Sequence, residues 1–510
     1  MSLADLARAS SPYFGIEVVD EQTNRGVPLV ELETPSHMRF VTDSAGRIAI
    51  DDPALMNQQV WFSVGSYGYE FPKDGLGSRG VTLDVKPGEV KTLKIQRTNI
   101  AERLYRITGE GIYRDTVMLG RKAPIKKPLI NAQVTGQDSV LAPIYRGQIH
   151  YFWGDTAKQS YPLGLFKMAG AVADLPEKGG LDPSVGIDLT YFTREDGFAR
   201  EMVPLPDKGL VWIDDPLVLK DDSGKERMIC SGSLLESMAK RLGRFLFVYN
   251  DEKDAFEKLK TIPDDAALTP SGHYFRHSDG GEGGQEYFYF AYPYPCIRVP
   301  ATWKAVQELS QYEGFTPLQP GKRYDKKSPP LERDGAGKLI FAWKKETPSL
   351  TSAQLKEIVD GGFAKREELP QRMADATTGK PILVHGASVY FNEYRKKWIM
   401  IFVQIFGDSM LGEVWYAESD KIEGPWEKAV KVATHDRAVS DEHGARHERM
   451  DFYNPAHHPF YDQQGGRIIY FEGTYTNTFS GNPAPTPRYE YNQLMYRLDL
   501  SDPRLKAAQQ

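Results

Sequence analysis

Cysteine is nearly absent: the 510 residues contain only Cys230 and Cys296. That scarcity excludes a disulfide framework and a cysteine-ligated zinc site. Long apolar runs are missing too. The longest, such as 398–406, reach about half the ~20 residues that a spanning helix needs, so no membrane span is expected. Basic charge is not in excess, since 63 Lys and Arg stand against 69 Asp and Glu, for a net charge of −6. Without a basic stripe, nucleic acid is not an expected partner. No GxxxxGK[ST] loop, strand-bound GxGxxG or GxSxG elbow occurs, which leaves nucleotide-dependent and α/β-hydrolase chemistry without a carrier. Met1 to Ser10 also lack the apolar stretch of a secretory leader. The expectation is an exported protein, extracellular or periplasmic, whose leader has been removed, with the cytosol as the alternative.

What the chain does have is aromatic residues and turn formers: 27 Tyr, 24 Phe, 8 Trp, 46 Gly and 34 Pro. This composition suits short strands with tight turns, ring-lined grooves, or both. Residues 11–98 read as a small β-sandwich. FGIEVVD (14–20) alternates, Asn24-Arg25-Gly26 turns, VPLVELET (27–34) alternates again, and further short strands follow at 47–50, 59–71 and 81–97. Strands this short, with turn signals every ~8–12 residues, are an all-β pattern. From Val27 through TDSAGRIAI the pattern resembles the carboxypeptidase-regulatory, transthyretin-like modules that accompany many exported enzymes. The resemblance implies a structural or carbohydrate-facing unit. Residues 99–124 are read as a linker.

From 125 to 503 the sequence repeats itself. The five copies span 138–155, 215–232, 271–292, 385–403 and 454–473. Each has a polar head, an alternating strand, a charged or glycine turn, and a strongly apolar strand. A second repeat follows two of them: GRFLFVYNDEKDAFEKLKTI (243–262) parallels GEVWYAESDKIEGPWEKAVKV (412–432), and MYRLDLSD (495–502) is a shorter version. Four-strand units repeated five times describe a five-bladed β-propeller, with two stacked sandwiches as the alternative. A helical insertion is expected near 348–375, where Ser352 caps a helix and Gly361 ends it. KLIFAWKKE (338–346) is expected to return a strand to the third repeat.

In such a ring, the residues heading the copies converge at one mouth. The heads are Asp138, Asp214-Asp215, His273, His385 and Asn454. Asp138-Ser139-Val140, Gly147 and HYFWGDT (150–156) resemble the opening blade of five-bladed propeller glycosidases, above all the endo-D-arabinanase type. The early Asp and the EGPW at 423–426 also occur in the arabinanase/xylosidase and anhydrogalactosidase propellers. The resemblance implies an acidic pair, Asp138 as base or nucleophile and Asp155 as its partner, with inversion favoured. The Glu-Gly-Pro acid of the arabinanase/xylosidase pattern has no counterpart here, because Glu423 falls on an outer-strand repeat.

Chemistry supports the pair independently. Glycoside hydrolysis needs one carboxylate and one protonated acid, and mutual repulsion keeps a proton on one of two close carboxyls. Against this stands the plain reading of Gly-Asp-Thr and Asp-Pro as turns. Asp215, Glu236, His273, His385, Arg446, Tyr453, Asn454 and Glu472 complete the candidate set as substrate-binding or reserve groups. Tyr151, Phe152, Trp153 and 287–294 offer faces for sugar stacking, with Tyr292 and Tyr294 expected at the mouth. His443, His447, His457 and His458 cluster without the HExxH spacing of a zinc site. They read as a polar loop, or as a lid whose arginines hold an acidic sugar. No organic cofactor is expected, and a structural calcium ion stays open through carboxylate and carbonyl oxygens. The expected function is a glycoside hydrolase acting on a polysaccharide or oligosaccharide. A uronate-specific lyase and a non-catalytic sugar-binding protein are the alternatives.

Overall fold

The computed structural model describes residues 12–160, 167–205, 209–280, 283–407, 410–441 and 444–509, with backbone alone for 438–441 and 444–447. It is almost entirely β-structure. Among the described residues no helix is long and apolar enough to cross a membrane.

Two four-stranded sheets form the N-terminal part. One runs Arg47–Ile50, Phe14–Asp20, Val90–Arg97, Tyr69–Glu70; the other runs Arg39–Val41, Glu31–Glu33, Gln58–Gly65, Gly80–Val85. Alternation sets their faces: in Val90–Arg97 only Leu93 and Ile95 are buried. Both sheets contribute to one core that includes Phe14, Ile16, Leu32, Phe62, Val85 and Ile95.

Among the described residues, five further sheets of four or five strands follow along the chain, besides two short two-stranded ladders. The first holds Ile144–Tyr145, Gln148–Trp153, Ala169–Ala173 and Thr190–Tyr191. In the second, Leu210–Ile213 and Leu217–Lys220 both pair with Glu226–Ser237, which continues into Lys240–Asn250 and Ala255–Ile262. The third runs from His273–Asp279 to Ala342–Lys345, so the strand expected within 338–346 is present. The fourth is built on Val384–Asn392, Lys397–Gln404, Glu413–Ser419 and Trp426–Thr434, with Gln371–Asp375 added in parallel at its edge. The fifth holds Asp451–His457, Ile468–Thr476, Asn492–Asp499 and, from far upstream, Glu102–Arg106. Each of the five sequence copies thus supplies one antiparallel strand pair to one of the five sheets.

Neighbouring sheets share cores. Phe152 of the first packs with Met228 and Phe247 of the second, and Leu217 of the second with Phe288 of the third. Tyr289 of the third meets Met400 of the fourth, and Ile401 of the fourth meets Phe471 of the fifth. Tyr470 and Met495 of the fifth then join Tyr151 and Trp153 of the first. Inner strands are therefore covered on both faces, which explains continuous burial along Ile468–Thr476 and Glu413–Ser419.

Several expectations change. Residues 99–124 are no simple linker: Glu102–Arg106 is a fully buried strand that pairs antiparallel with Asn492–Asp499. From that strand Arg103 reaches into the N-terminal sheets, donating to Pro28 O, Tyr67 O and Ser66 Oγ. The helix Ser352–Asp360 is capped by Thr351, not Ser352; the Thr351 hydroxyl accepts from Gln354 N and Gln354 returns a bond to Thr351 N. Tyr151, Phe152 and Trp153 are all core, because sheets press on both of their faces. Of the two tyrosines expected at the mouth, Tyr292 is exposed but Tyr294 is buried in the core between the third and fourth sheets.

Candidate active site

Asp138 and Asp155 are brought together by a two-residue ladder. Gly136–Gln137 pairs antiparallel with Thr156–Ala157, with Gln137 opposite Thr156. The next positions along the two strands are Asp138 and Asp155. The ladder extends there, since Asp138 N donates to Asp155 O (3.3 Å) and Gly154 N to Asp138 O (2.8 Å). The glycine of Gly-Asp-Thr has a specific reason: a Cβ on Gly154 would lie 2.3 Å from Asp138 Oδ1. Only glycine lets the Asp138 carboxylate sit against this strand.

Asp138 is well supplied with donors. Oδ1 accepts from Asp155 N (3.1 Å), and Oδ2 accepts from the hydroxyls of Tyr453 (2.9 Å) and Tyr491 (2.7 Å). Asp155 has fewer: Trp212 Nε1 donates to Oδ1 (3.1 Å), and Tyr491 Oη lies 3.1 Å from Oδ2. Tyr491 has one hydroxyl proton and cannot donate to both carboxyls. If that proton goes to Asp138, the contact to Asp155 is a hydrogen bond only when Asp155 itself carries a proton. The electrostatics agree. Burial first, then the charge of Asp138, push the Asp155 carboxyl up to about 7. Burial raises Asp138 as well, while its phenol and backbone donors act against the rise.

Of the other heads, Asn454 reaches the residue beside Asp138, and the rest make contacts within and between neighbouring sheets. Asn454 Nδ2 donates to Ser139 Oγ (2.7 Å), and both residues have left-handed backbones, with φ of 47° and 53°. Such strain in two non-glycine residues is held by the surrounding structure and marks the junction of the first and fifth sheets. A Cβ on Gly386 would stand 2.9 Å from Asn454 Oδ1, so the neighbouring His385 segment abuts the same place; burial lowers the His385 pKa. Beside the second sheet, half-buried Asp214 accepts from Ser231 Oγ (2.6 Å) and Gly272 N (3.0 Å), and desolvation raises its pKa. Asp215 is buried beside His273, with 3.6 Å between Oδ2 and Nδ1.

Two candidates fall elsewhere. Glu236 lies at the tip of the Glu226–Ser237/Lys240–Asn250 hairpin, exposed and paired with Lys240 (2.6 Å), because that hairpin continues past the level of Asp214. Glu472 is fully buried one step into the core, where His458 Nε2 meets its Oε1 at 2.7 Å. His457 is likewise buried against Asp462 (2.8 Å), so these two histidines are core groups and not part of a polar loop. The side chain of Arg446 lies outside the described residues, as do His443 and the side chain of His447. Glu423 accepts from Trp343 Nε1 (2.9 Å) in a turn before Trp426–Thr434. Among the described residues no three His, Cys, Asp or Glu side chains gather as a metal-binding group.

Sequence reasoning missed Tyr491 and Trp212. Neither heads a repeat: Tyr491 precedes the third strand of the fifth sheet, and Trp212 sits in the extra strand before Asp214.

No family model matches the chain, and no curated protein does. Among solved structures it is similar to an exo-β-1,3-galactanase of Phanerochaete chrysosporium with galactose, at 7% identity and a TM-score of 0.35, covering 75% of this chain and 64% of that one. It is also similar to a glycoside hydrolase family 43 enzyme of Xanthomonas citri complexed with xylotriose, at 11% identity and a TM-score of 0.30, covering 71% of this chain and 86% of that one.

Proposed function

We propose that the protein is a glycoside hydrolase whose acid pair is Asp138 and Asp155, seated at the mouth of a five-bladed β-propeller that carries an N-terminal sandwich. The shared cores that run from sheet to sheet, and from the fifth back to the first, support the ring. The strand Glu102–Arg106, completing the last sheet from the other end of the chain, would lock it.

The observation that carries the function is the Tyr491 bridge. It divides the pair into a carboxylate held by three donors, Asp138, and a carboxyl that keeps its proton near neutrality, Asp155. That is the division of labour glycoside cleavage requires: Asp155 protonates the leaving oxygen while Asp138 faces the developing oxocarbenium ion. Two oxygens within 2.7 and 3.1 Å of one phenol oxygen are separated by no more than about 5.8 Å. That spacing suits a retaining, two-step reaction with Asp138 as nucleophile, rather than the wider gap an inverting enzyme keeps for water. Inversion, expected from resemblance, is therefore replaced here by retention.

The lyase alternative loses its tyrosine base. Burial raises the Tyr453 and Tyr491 phenols well above their usual range, with neighbouring Asp138 adding to the rise, so neither readily gives up its proton.

The test is a product screen. The full chain and Asp138→Asn would be incubated with plant, algal and bacterial glycans, with products read by mass spectrometry, ultraviolet absorbance and proton NMR of the first-formed anomer. Saturated products of retained configuration, lost in the variant, are expected. Unsaturated products would move the assignment to a lyase. Inverted products would require a second carboxylate other than this pair, and Asp215 would be examined next.

A further inference from the structure

Between the outer strands of the first and second sheets lies a cleft of about 720 Å³ that begins at Thr156, the residue after Asp155. Its lining is basic in a protein of net charge −6. Lys167, Arg194, Arg200, Lys253 and Lys258 face two carboxylates, Glu201 and Glu257. Those two are already taken, Glu201 by Lys167 (2.6 Å) and Glu257 by Lys253 (2.7 Å). Three cations remain in surplus.

Among the described residues none of the three has a strong anionic partner. Lys258 lies over the Phe245 ring at 4.0 Å. Arg194 lies over Phe198 at 4.9 Å and pairs only with exposed Asp196 (3.2 Å), a surface contact of small worth. Arg200 is fixed in place: its terminal nitrogens donate to Lys253 O (3.0 Å) and Asp254 O (2.9 Å). Its remaining nitrogen, Nε, is buried with no hydrogen-bond partner among the described residues. The floor includes Ala169, Ala199 and buried Phe198, an apolar surface suited to a sugar face.

We propose that this cleft accepts an acidic sugar, a unit bearing a carboxylate or sulfate, so that the substrate is an anionic glycan running from the Asp138/Asp155 pair into the cleft. The inference rests on the glycoside reading of that pair for its direction, but the binding itself needs no hydrolysis. A glycan fits better than nucleic acid because the basic surface is one short cleft beside the acid pair, not a stripe along the molecule.

Calorimetric titration of the full chain tests it, with four probes at low and high salt: polygalacturonate, its methyl ester, dextran sulfate and dextran. The expected result is salt-sensitive binding of an anionic polymer and none of its neutral counterpart; which anionic polymer binds tells carboxylate from sulfate. Arg194→Gln/Lys258→Gln, two exposed positions whose change leaves the melting temperature intact, should weaken binding about tenfold or more. Arg200→Gln should weaken it as well. Equal binding of the neutral polymers, no binding of either anionic one, an unaffected double variant, or equally tight single-stranded DNA would each overturn the proposal. Failure of the cleft and failure of the acid pair are separable. If Asp138→Asn binds normally while wild type shows no hydrolysis, the acid pair is at fault and the cleft stands. If wild type cleaves a neutral glycan but binds no anionic one, the cleft fails alone.

Discussion

Tyr491→Phe removes one hydroxyl and leaves the ring, so it isolates the bridge on which the division of roles depends. In the wild type the phenol supports the Asp138 carboxylate at 2.7 Å and holds Asp155 at 3.1 Å. A hydrogen bond to a charged group is worth about 1.5–3 kcal/mol. At about 1.4 kcal/mol per pH unit, its loss raises the pKa of Asp138 by about one to two units. The acidic limb of the pH–activity profile, which follows Asp138, should therefore move to higher pH by about one to two units. The limbs belong to the coupled pair and are read as such. The profile of kcat/KM on the substrate found in the product screen provides the assay. Carboxyl titration of aspartate-labelled protein by carbon-13 NMR provides the same reading without substrate. Limbs that stay in place, with activity retained, would refute the bridge as the device that sets the two protonation states.

Three further outcomes are expected. Asp155 binds its proton more tightly in the folded protein, at about 7, than an ordinary aspartate does, at about 3.9, so its contribution to stability is full below about pH 4 and is lost as pH rises towards 7. Asp155→Asn should abolish activity yet melt at higher temperature than wild type above pH 7, with the difference vanishing near pH 4; parallel melting curves across that range check it. Gly154→Ala places a Cβ 2.3 Å from Asp138 Oδ1 and should cost about a hundredfold or more in activity by displacing the carboxylate, with circular dichroism unchanged. His458→Leu leaves Glu472 buried without its partner and should cost about 3–5 kcal/mol in urea unfolding, marking Glu472 as a core group and not a reserve acid.

Asp138 and Asp155 were legible in the sequence because a repeat superimposes distant residues. Once 138–155 is read as a strand, a turn and a return strand, the two carboxyls must end near the same level. Ser139–Asn454 and Asp215–His273 follow from the same superposition, each linking the heads of neighbouring sheets. Where the superposition ends, so does the foresight. Trp212 belongs to a strand added to the second sheet ahead of its copy, and Tyr491 ends the connection before the third strand of the fifth sheet, so neither lies within a copy. Alternation failed as a guide to Tyr151, Phe152 and Trp153 because it assumes one wet face, whereas packing on both sides buries every side chain of an inner strand. The strand Glu102–Arg106 was hidden for another reason: its partner lies almost 400 residues downstream, and a five-residue segment carries no local sign of a distant pairing. Its position has a consequence for the site. The same short strand completes the sheet that carries Tyr453 and Asn454, and through Arg103 it fastens that sheet to the N-terminal part. The N-terminal sheets thus brace the side of the acid pair from which Asp138 receives its tyrosine hydroxyls.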